Sequence, residues 1–272
     1  MNGFSIERSF SLAQRIAARE WRLMLPVALA FLVLPPLASD LLLPASVRAE
    51  LAAAVQTNNP APMLNAASWL LPLSFLLFAL GTLGGLVLTA LAVVPRISVR
   101  EAILLGVRRF PVLLGILILF FVAVTLLAFA ATFLLLLLRL DLRTIQSLLF
   151  GMLMGIAAVA IVRLSVVDAL IVTRHVGPIA ALRESWAMTR GAFWRMFGAV
   201  AIYMVGGAIV VLALGTAVGA VLILAGNTFG AIELMAALNA LFTRTLAGLV
   251  GLGFYLLGAA FFLQLDGSSR GI

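Results

Sequence analysis

The sequence predicts an all-α, polytopic integral membrane protein with six transmembrane helices, and three observations carry that expectation. Hydrophobic residues fill 64% of the 272 positions and charged residues only 10%, with a mean hydropathy of +1.23. Soluble chains are roughly half apolar and about a quarter charged, so a core of this length cannot hide so much apolar surface from water. The apolar residues also fall into six runs between charges, at 23–43, 64–94, 111–138, 145–172, 196–225 and 246–265. Each reaches or exceeds the ~20 residues that cross a bilayer as a helix. Finally, arginines concentrate in every second connection. With the N-terminus placed inside, thirteen lie on the inner segments (Arg8, Arg15, Arg19, Arg22, Arg96, Arg100, Arg108, Arg109, Arg174, Arg183, Arg190, Arg195 and Arg270). Four lie outside (Arg48, Arg139, Arg143 and Arg244), and Arg163 falls within a span. Basic residues mark the cytoplasmic ends of spans, so both termini are expected in the cytoplasm.

The first run is interrupted by Pro26, Pro35, Pro36 and Asp40, which leaves its outer end open. A cleaved signal peptide is the competing reading of the start. Glu7 and Glu20 in a long charged leader, with no small-x-small site after it, count against that reading. The outer stretch 44–62 holds Pro44, Pro60 and Pro62 and suits a short helix across Val47–Gln56. Leu140–Thr144 is a tight connection, so the third and fourth helices are expected to be antiparallel neighbours. The GNTFG turn signal at 226–230 precedes Ala231–Phe242, a segment that suits the outer membrane surface.

Three inner segments share an order of polar start, short helix, bulky residue and long span: Ser5–Arg22, Ser98–Pro111 and Gly177–Trp194. They suggest a three-hairpin pseudo-repeat in one membrane domain, with units of about 1–94, 95–175 and 176–265. In the first, Arg8, Arg15, Arg19 and Arg22 fall within an arc of about 60° on a helix, opposite Ile6, Phe10, Ala13, Ile16 and Ala17. The second opens on Ser98-x-x-Glu101, the spacing of a capping box. The third opens on Gly177-Pro178, since proline suits a first helical turn, and is expected to stop near Gly191, a natural C-cap. There Ile179, Leu182, Trp186 and Phe193 share a face flanked by Arg183 and Arg190, while Trp186 and Trp194 suit the headgroup level. Inner loops that merely obey the positive-inside rule would look similar. The sharper expectation is a cytoplasmic collar of short interfacial helices that holds anionic lipid through Arg8, Arg15, Arg19, Arg183, Trp186, Arg190 and Trp194.

The third segment, Gly177-Pro178, Ala181-Leu182-Arg183-x-Ser185-Trp186 and Thr189-Arg190-Gly191-x-Phe193-Trp194, resembles the signature of the glycerophosphoryl diester phosphodiesterase membrane domain. Related bacterial inner-membrane proteins with about six spans carry a similar signature. The resemblance is sharp over the motif and topological elsewhere, and it implies a multi-pass protein of the bacterial inner membrane. In that family a proline and then an acid often precede the motif. Here Asp168 stands at the proline position and Thr173 at the acidic one, so the acid's role does not carry over. The phosphodiesterase chemistry also needs carboxylates around a divalent metal together with histidines, and His175 is the single histidine.

Arg163 and Asp168 fall inside the fourth apolar run and form a candidate intramembrane polar site for a lipid headgroup or an anionic solute. On a continuous helix they point about 140° apart and cannot pair. Arg163 would otherwise end a span of Ile145–Val162 and snorkel to the inner interface. Gly215-x-x-x-Gly219 has the spacing of close helix packing. With no cysteine, one histidine and no acidic cluster, no catalytic residue, metal site or cofactor is expected, and no nucleic-acid partner. The leading expectation is a non-enzymatic membrane protein that organises lipid or envelope components or scaffolds a protein partner. Behind it stand a small transporter or lipid-translocating protein using Arg163 and Asp168, and then an accessory domain of lipid phosphodiester metabolism.

Overall fold

The computed structural model describes residues 4–43, 46, 47, 50, 61–174 and 176–267, and among them no strand occurs. Six helical stretches are long and apolar enough to cross a membrane: Ile6–Asp40, Leu70–Val93, Val99–Leu137, Arg143–Thr173, Phe193–Phe229 and Ile232–Leu265. The chain is therefore an all-α, multi-pass membrane protein. Of the short helix expected across Val47–Gln56, only positions 47 and 50 are described, both helical. The rest of it, with Arg48, His175 and Arg270, lies outside the described residues.

Helix α1 (Ile6–Ala28) starts where the Ser5 hydroxyl accepts from the Arg8 amide at 3.5 Å. It runs through Pro26 into a π-helical stretch, Leu29–Val33, and on into α2 (Leu34–Leu42). The wide turn has a local cause. Pro35 and Pro36 offer no amide to the preceding turn and their rings crowd its carbonyls, and adding a residue to that turn relieves the clash. The first span is thus continuous with the amphipathic leader, which does not form a separate interfacial helix.

Helix α3 (Ala61–Val93) returns across the membrane through Pro72 and leads into α4 (Val99–Leu137). The expected capping box is present: the Ser98 hydroxyl accepts from the Glu101 amide, and the Glu101 carboxylate accepts from the Ser98 amide at 2.9 Å. Here too the basic segment and its span form one helix, which passes through Pro111 without stopping. The connection from α4 to α5 (Leu142–Leu164) turns at Arg139, which takes φ 56°, and α5 is capped by Asp141. The two helices pack side by side, as the short connection requires.

The fourth run departs from expectation. It breaks at Ser165–Val166, and α6 (Val167–Thr173) follows as a separate, almost wholly buried helix. The Ser165 hydroxyl turns back to the Val162 carbonyl at 2.7 Å. The Ser165 carbonyl faces Gly258 so closely that a Cβ there would lie 2.5 Å from it. Only a glycine lets the broken backbone sit against the neighbouring helix.

Helix α7 (Pro178–Thr189) is the one inner segment that stands as a short independent helix. It ends at Thr189, close to Gly191 as expected, but Gly191 does not adopt the left-handed conformation of a glycine cap. Helices α8 (Phe193–Phe229) and α9 (Ile232–Leu265) then form a long hairpin. Gly230 turns it at φ 67°, and GNTF belongs to α8 while residues 232–242 belong to α9. No separate surface helix occupies that stretch. Gly219 lies against Asn239 and Gly215 against Thr243, so the Gly-x-x-x-Gly pair brings α8 close to α9.

Buried side chains gather at one end of the bundle, the end carrying most of the arginines. Leu86–Ala92 of α3, α6 and Leu256–Leu263 of α9 form its centre, and Leu12, Ile16 and Met24 of α1 close it. The two ends of the chain meet there: Gln264 donates to the Ser9 hydroxyl at 2.8 Å and accepts from the Ser5 amide at 3.3 Å. Phe4 packs on Phe261 with ring centroids 5.4 Å apart.

Candidate functional site

Two arrangements at the basic end bring together most of the residues singled out in the sequence. The first is built on α7. Ala181, Ser185 and Thr189, spaced four residues apart, form its buried stripe. Ser185 donates its hydroxyl to the Arg163 carbonyl, and Thr189 accepts from the Arg163 guanidinium at 2.7 Å. The same guanidinium nitrogen donates to the Trp186 carbonyl at 3.1 Å. The Arg163 charge centre lies 4.5 Å from the Trp186 ring and 4.9 Å from the Phe193 ring. Arg163 therefore snorkels from the last turn of α5 and ties that turn to α7. Both hydrogen bonds come from one guanidinium nitrogen, and Nε is buried without a hydrogen-bond partner among the described residues.

With its small polar face turned inward, α7 presents the opposite face outward. Ile179, Leu182, Arg183, Trp186, Ala187 and Arg190 line a shallow hollow of about 530 Å³. Arg183 and Arg190 are exposed, and no hydrogen bond or ion pair to an acid engages either among the described residues. The Trp186 ring is half exposed between them. Phe193, expected on this face, belongs instead to α8. Glu184, the acid on α7, is held away from the hollow by Arg174, which also bridges to Asp266 at 2.6 Å. Trp194 stands exposed at the start of α8, edge-on to Phe193 at 5.3 Å.

The arginines of α1 form a separate group. Arg8, Arg15, Arg19 and Arg22 are all exposed. Arg19 pairs with its neighbour Glu20 at 2.9 Å. Opposite them, Ile6, Phe10, Ala13, Ile16 and Ala17 pack onto the protein core. The amphipathic face of α1 therefore covers protein, whereas that of α7 is open. These arginines and those of α7 do not converge on one pocket: α1 packs on α3 and α9, and α7 on α4, α5 and α6.

The second arrangement surrounds Asp168. The break at Ser165–Val166 separates this residue from Arg163, and Asp168 opens α6 instead of continuing α5. It lines a cavity of about 470 Å³ between α3, α4, α5 and α9, together with Thr82, Thr89, Ser165 and Tyr255. A second cavity of about 480 Å³ lies on the other side of Phe254 and Tyr255 and contains Arg244. That arginine forms a two-pronged pair with Asp40 at 2.7 and 2.8 Å. Tyr255 and the Arg244–Asp40 pair carry no local sequence signal. Ser185 and Thr189 do carry one, as small polar residues four apart on a helix beside a membrane arginine. Among the described residues, no group of acids and histidines is placed to hold a metal ion. No family model, curated protein or solved structure matches this chain.

Proposed function

We propose that this multi-pass protein is a non-enzymatic component of the bacterial inner membrane that holds anionic lipid at the cytoplasmic leaflet, with both termini in the cytoplasm. The observation that carries the reading is the outward hollow of α7, where Arg183 and Arg190 flank Trp186 above an apolar floor. A phosphate ester headgroup suits that set: two guanidiniums for the charge, an indole at the headgroup level and apolar side chains for the upper acyl chain. Each arginine near an anionic surface adds on the order of 1 kcal/mol, and the exposed arginines of α1 extend the same field. The thirteen-to-four division of arginines supports the orientation, and the resemblance of Gly177–Trp194 to a bacterial membrane-domain signature supports the compartment.

The test is native mass spectrometry of protein released from nanodiscs of mixed zwitterionic and anionic lipid. The wild type should retain phosphatidylglycerol in preference to phosphatidylcholine. The double variant Arg183→Gln, Arg190→Gln should lose about a tenfold preference, two contributions of ~1 kcal/mol each being partly offset by lipid exchange. Unchanged retention in that variant sinks the proposal. Reporter fusions at Asp141, Asn227 and the C-terminus check the orientation, and a C-terminus outside overturns it.

A second reading, translocation of a small solute, draws on the paired cavities on either side of Tyr255. It predicts solute flux in reconstituted vesicles that Asp168→Asn abolishes. Absence of flux across a panel of solutes removes it.

A further inference from the structure

The cavity around Asp168 combines features that point to a particular ligand chemistry. Its body is apolar: Leu113, Ile116 and Leu117 of α4 face Ala157 and Ala160 of α5, with Phe254 of α9 closing one side. The polar groups that line it are Asp168, Tyr255, Thr82, Thr89 and Ser165. Two of the lining hydroxyls are already spent, because Ser165 donates to the Val162 carbonyl and Thr82 to the Phe78 carbonyl. No arginine lines the cavity, and Arg163 is drawn away to α7. Among the described residues, no hydrogen bond or ion pair reaches the Asp168 carboxylate.

An acid in low-dielectric surroundings without a partner is costly, and proteins resolve this by pairing or by neutralising it. A ligand that pairs with it must be a cation. An anionic headgroup would face the carboxylate with no arginine to offset it. A sugar or other polyol would leave most of its hydroxyls against leucine, isoleucine and alanine. A molecule with one cationic nitrogen and a compact apolar body meets every wall. The volume, about 470 Å³, lies within the range of sites for small organic ligands. The rim includes Phe78 and Ile161, 50% and 39% exposed on the lipid-facing surface, so entry is lateral, from the bilayer.

We infer that this cavity binds an amphipathic amine, with the ammonium on the Asp168 carboxylate and the apolar body between α4 and α5. The inference is independent of lipid binding at α7 and of any transport, because the α7 hollow and this cavity share no lining residue.

The experiment is saturation binding of tritiated 1-adamantylamine and of the neutral isostere 1-adamantanol to the full chain in nanodiscs of zwitterionic lipid, with empty discs subtracted. The amine should bind saturably and at least about tenfold more tightly than the alcohol, the ratio expected for a charge-assisted hydrogen bond. Asp168→Asn should bring the two affinities together. Ala160→Phe, which fills the cavity and leaves the acid in place, should abolish binding of the amine. It also serves as the second variant should Asp168→Asn fail to remain monodisperse. Three results overturn the inference: no saturable amine binding, equal affinity of the wild type for amine and alcohol, or amine binding undiminished in Ala160→Phe or in a monodisperse Asp168→Asn.

Discussion

The two ends of this bundle are built on different principles. At the basic end, long-range polar ties cross between helices: Gln264 to Ser5 and Ser9, Arg163 to α7, and Arg174 to Glu184 and Asp266. Side chains from α1, α3, α6 and α9 are there buried as in a soluble core. At the far end, Phe129 and Phe133 of α4 are 71% and 66% exposed, and the long-range tie among the described residues is Arg244 to Asp40. In water such exposure would be ruinous, but lipid tails solvate phenylalanine as well as a neighbouring helix does. The fold therefore concentrates its specificity where it meets water and headgroups, and leaves the far halves of α4, α5 and α8 to pack with lipid. It also places both candidate ligand sites next to the buried end.

Glycine substitutions give the largest expected contrast between the ends. Gly258→Ala at the basic end sets a Cβ 2.5 Å from the Ser165 carbonyl oxygen, a backbone atom that cannot swing aside. Overpacking of that kind costs about 1–3 kcal/mol, and Gly258→Leu should cost more. Gly215→Ala at the far end meets Thr243 at an ordinary 3.6 Å and should stay within about 0.5 kcal/mol. Detergent-titrated unfolding followed by circular dichroism measures both. Equal losses would break the contrast.

Arg163→Met tests the tie between α5 and α7. Hydrogen bonds to a charged donor contribute about 1.5–3 kcal/mol, and partial exposure places this one near the lower bound. Thr189→Val, which removes one of the two acceptors, should cost about half as much. Because Arg163 also holds Trp186 in place, Arg163→Met should weaken lipid retention at α7, and Trp186 fluorescence should shift with it. If stability falls while the Trp186 emission is unmoved, the ring is held by other contacts.

How much of this was legible beforehand depended on what each signal measures. Hydropathy and charge located the six spans, the Ser98–Glu101 capping box and the α4–α5 turn, because all three are local in sequence. They misplaced the leader. A helix with arginines on one side and Ile6, Phe10 and Ile16 on the other reads identically whether its apolar side meets lipid or protein. Here it meets α3 and α9. The break at Ser165 was hidden for a similar reason, since the run is mostly apolar on both sides of Arg163, Ser165 and Asp168, and α6, buried on nearly every side, carries no periodicity to distinguish it from a span. The residue that makes room for it lies ninety-odd positions away, at Gly258. Gly177-Pro178 at one end and Gly191 at the other marked α7 as a separate helix, yet the spacing alone did not reveal that Ser185 and Thr189 face inward to Arg163.

The polar ties offer a smaller contrast. Gln264→Leu leaves the Ser5 amide and Ser9 hydroxyl without their partner, at a cost of about 1 kcal/mol. Hydrogen exchange at the amides of Ser9–Leu12 should quicken. Arg244→Gln at the far end removes an ion pair whose members are 43% and 31% exposed, and exposure discounts it to roughly 0.5 kcal/mol, salt-sensitive if it is reached by water. If Arg244→Gln proves the more damaging of the two, the far end is better tied than its packing suggests.

The smallest effect separates a local contact from a tertiary one. Asp141 caps α5 at the far end, and the Thr144 hydroxyl, then the Thr144 amide, hold its carboxyl below the usual value of 3.8. A depressed folded-state value means the cap's contribution is fully present above 3.8 and is lost as the pH falls through the folded value. Acidification below that point should therefore fray the first turn of α5, seen as faster exchange at Thr144 and Ile145 relative to their intrinsic rates. Asp141→Asn cannot titrate and should remain flat across the same range. The fraying should stop within that turn, because no tertiary contact among the described residues depends on Asp141. Loss of the Gln264–Ser9 contact in the same titration would mean that the far end communicates with the basic end through α5, contrary to the division drawn from their packing.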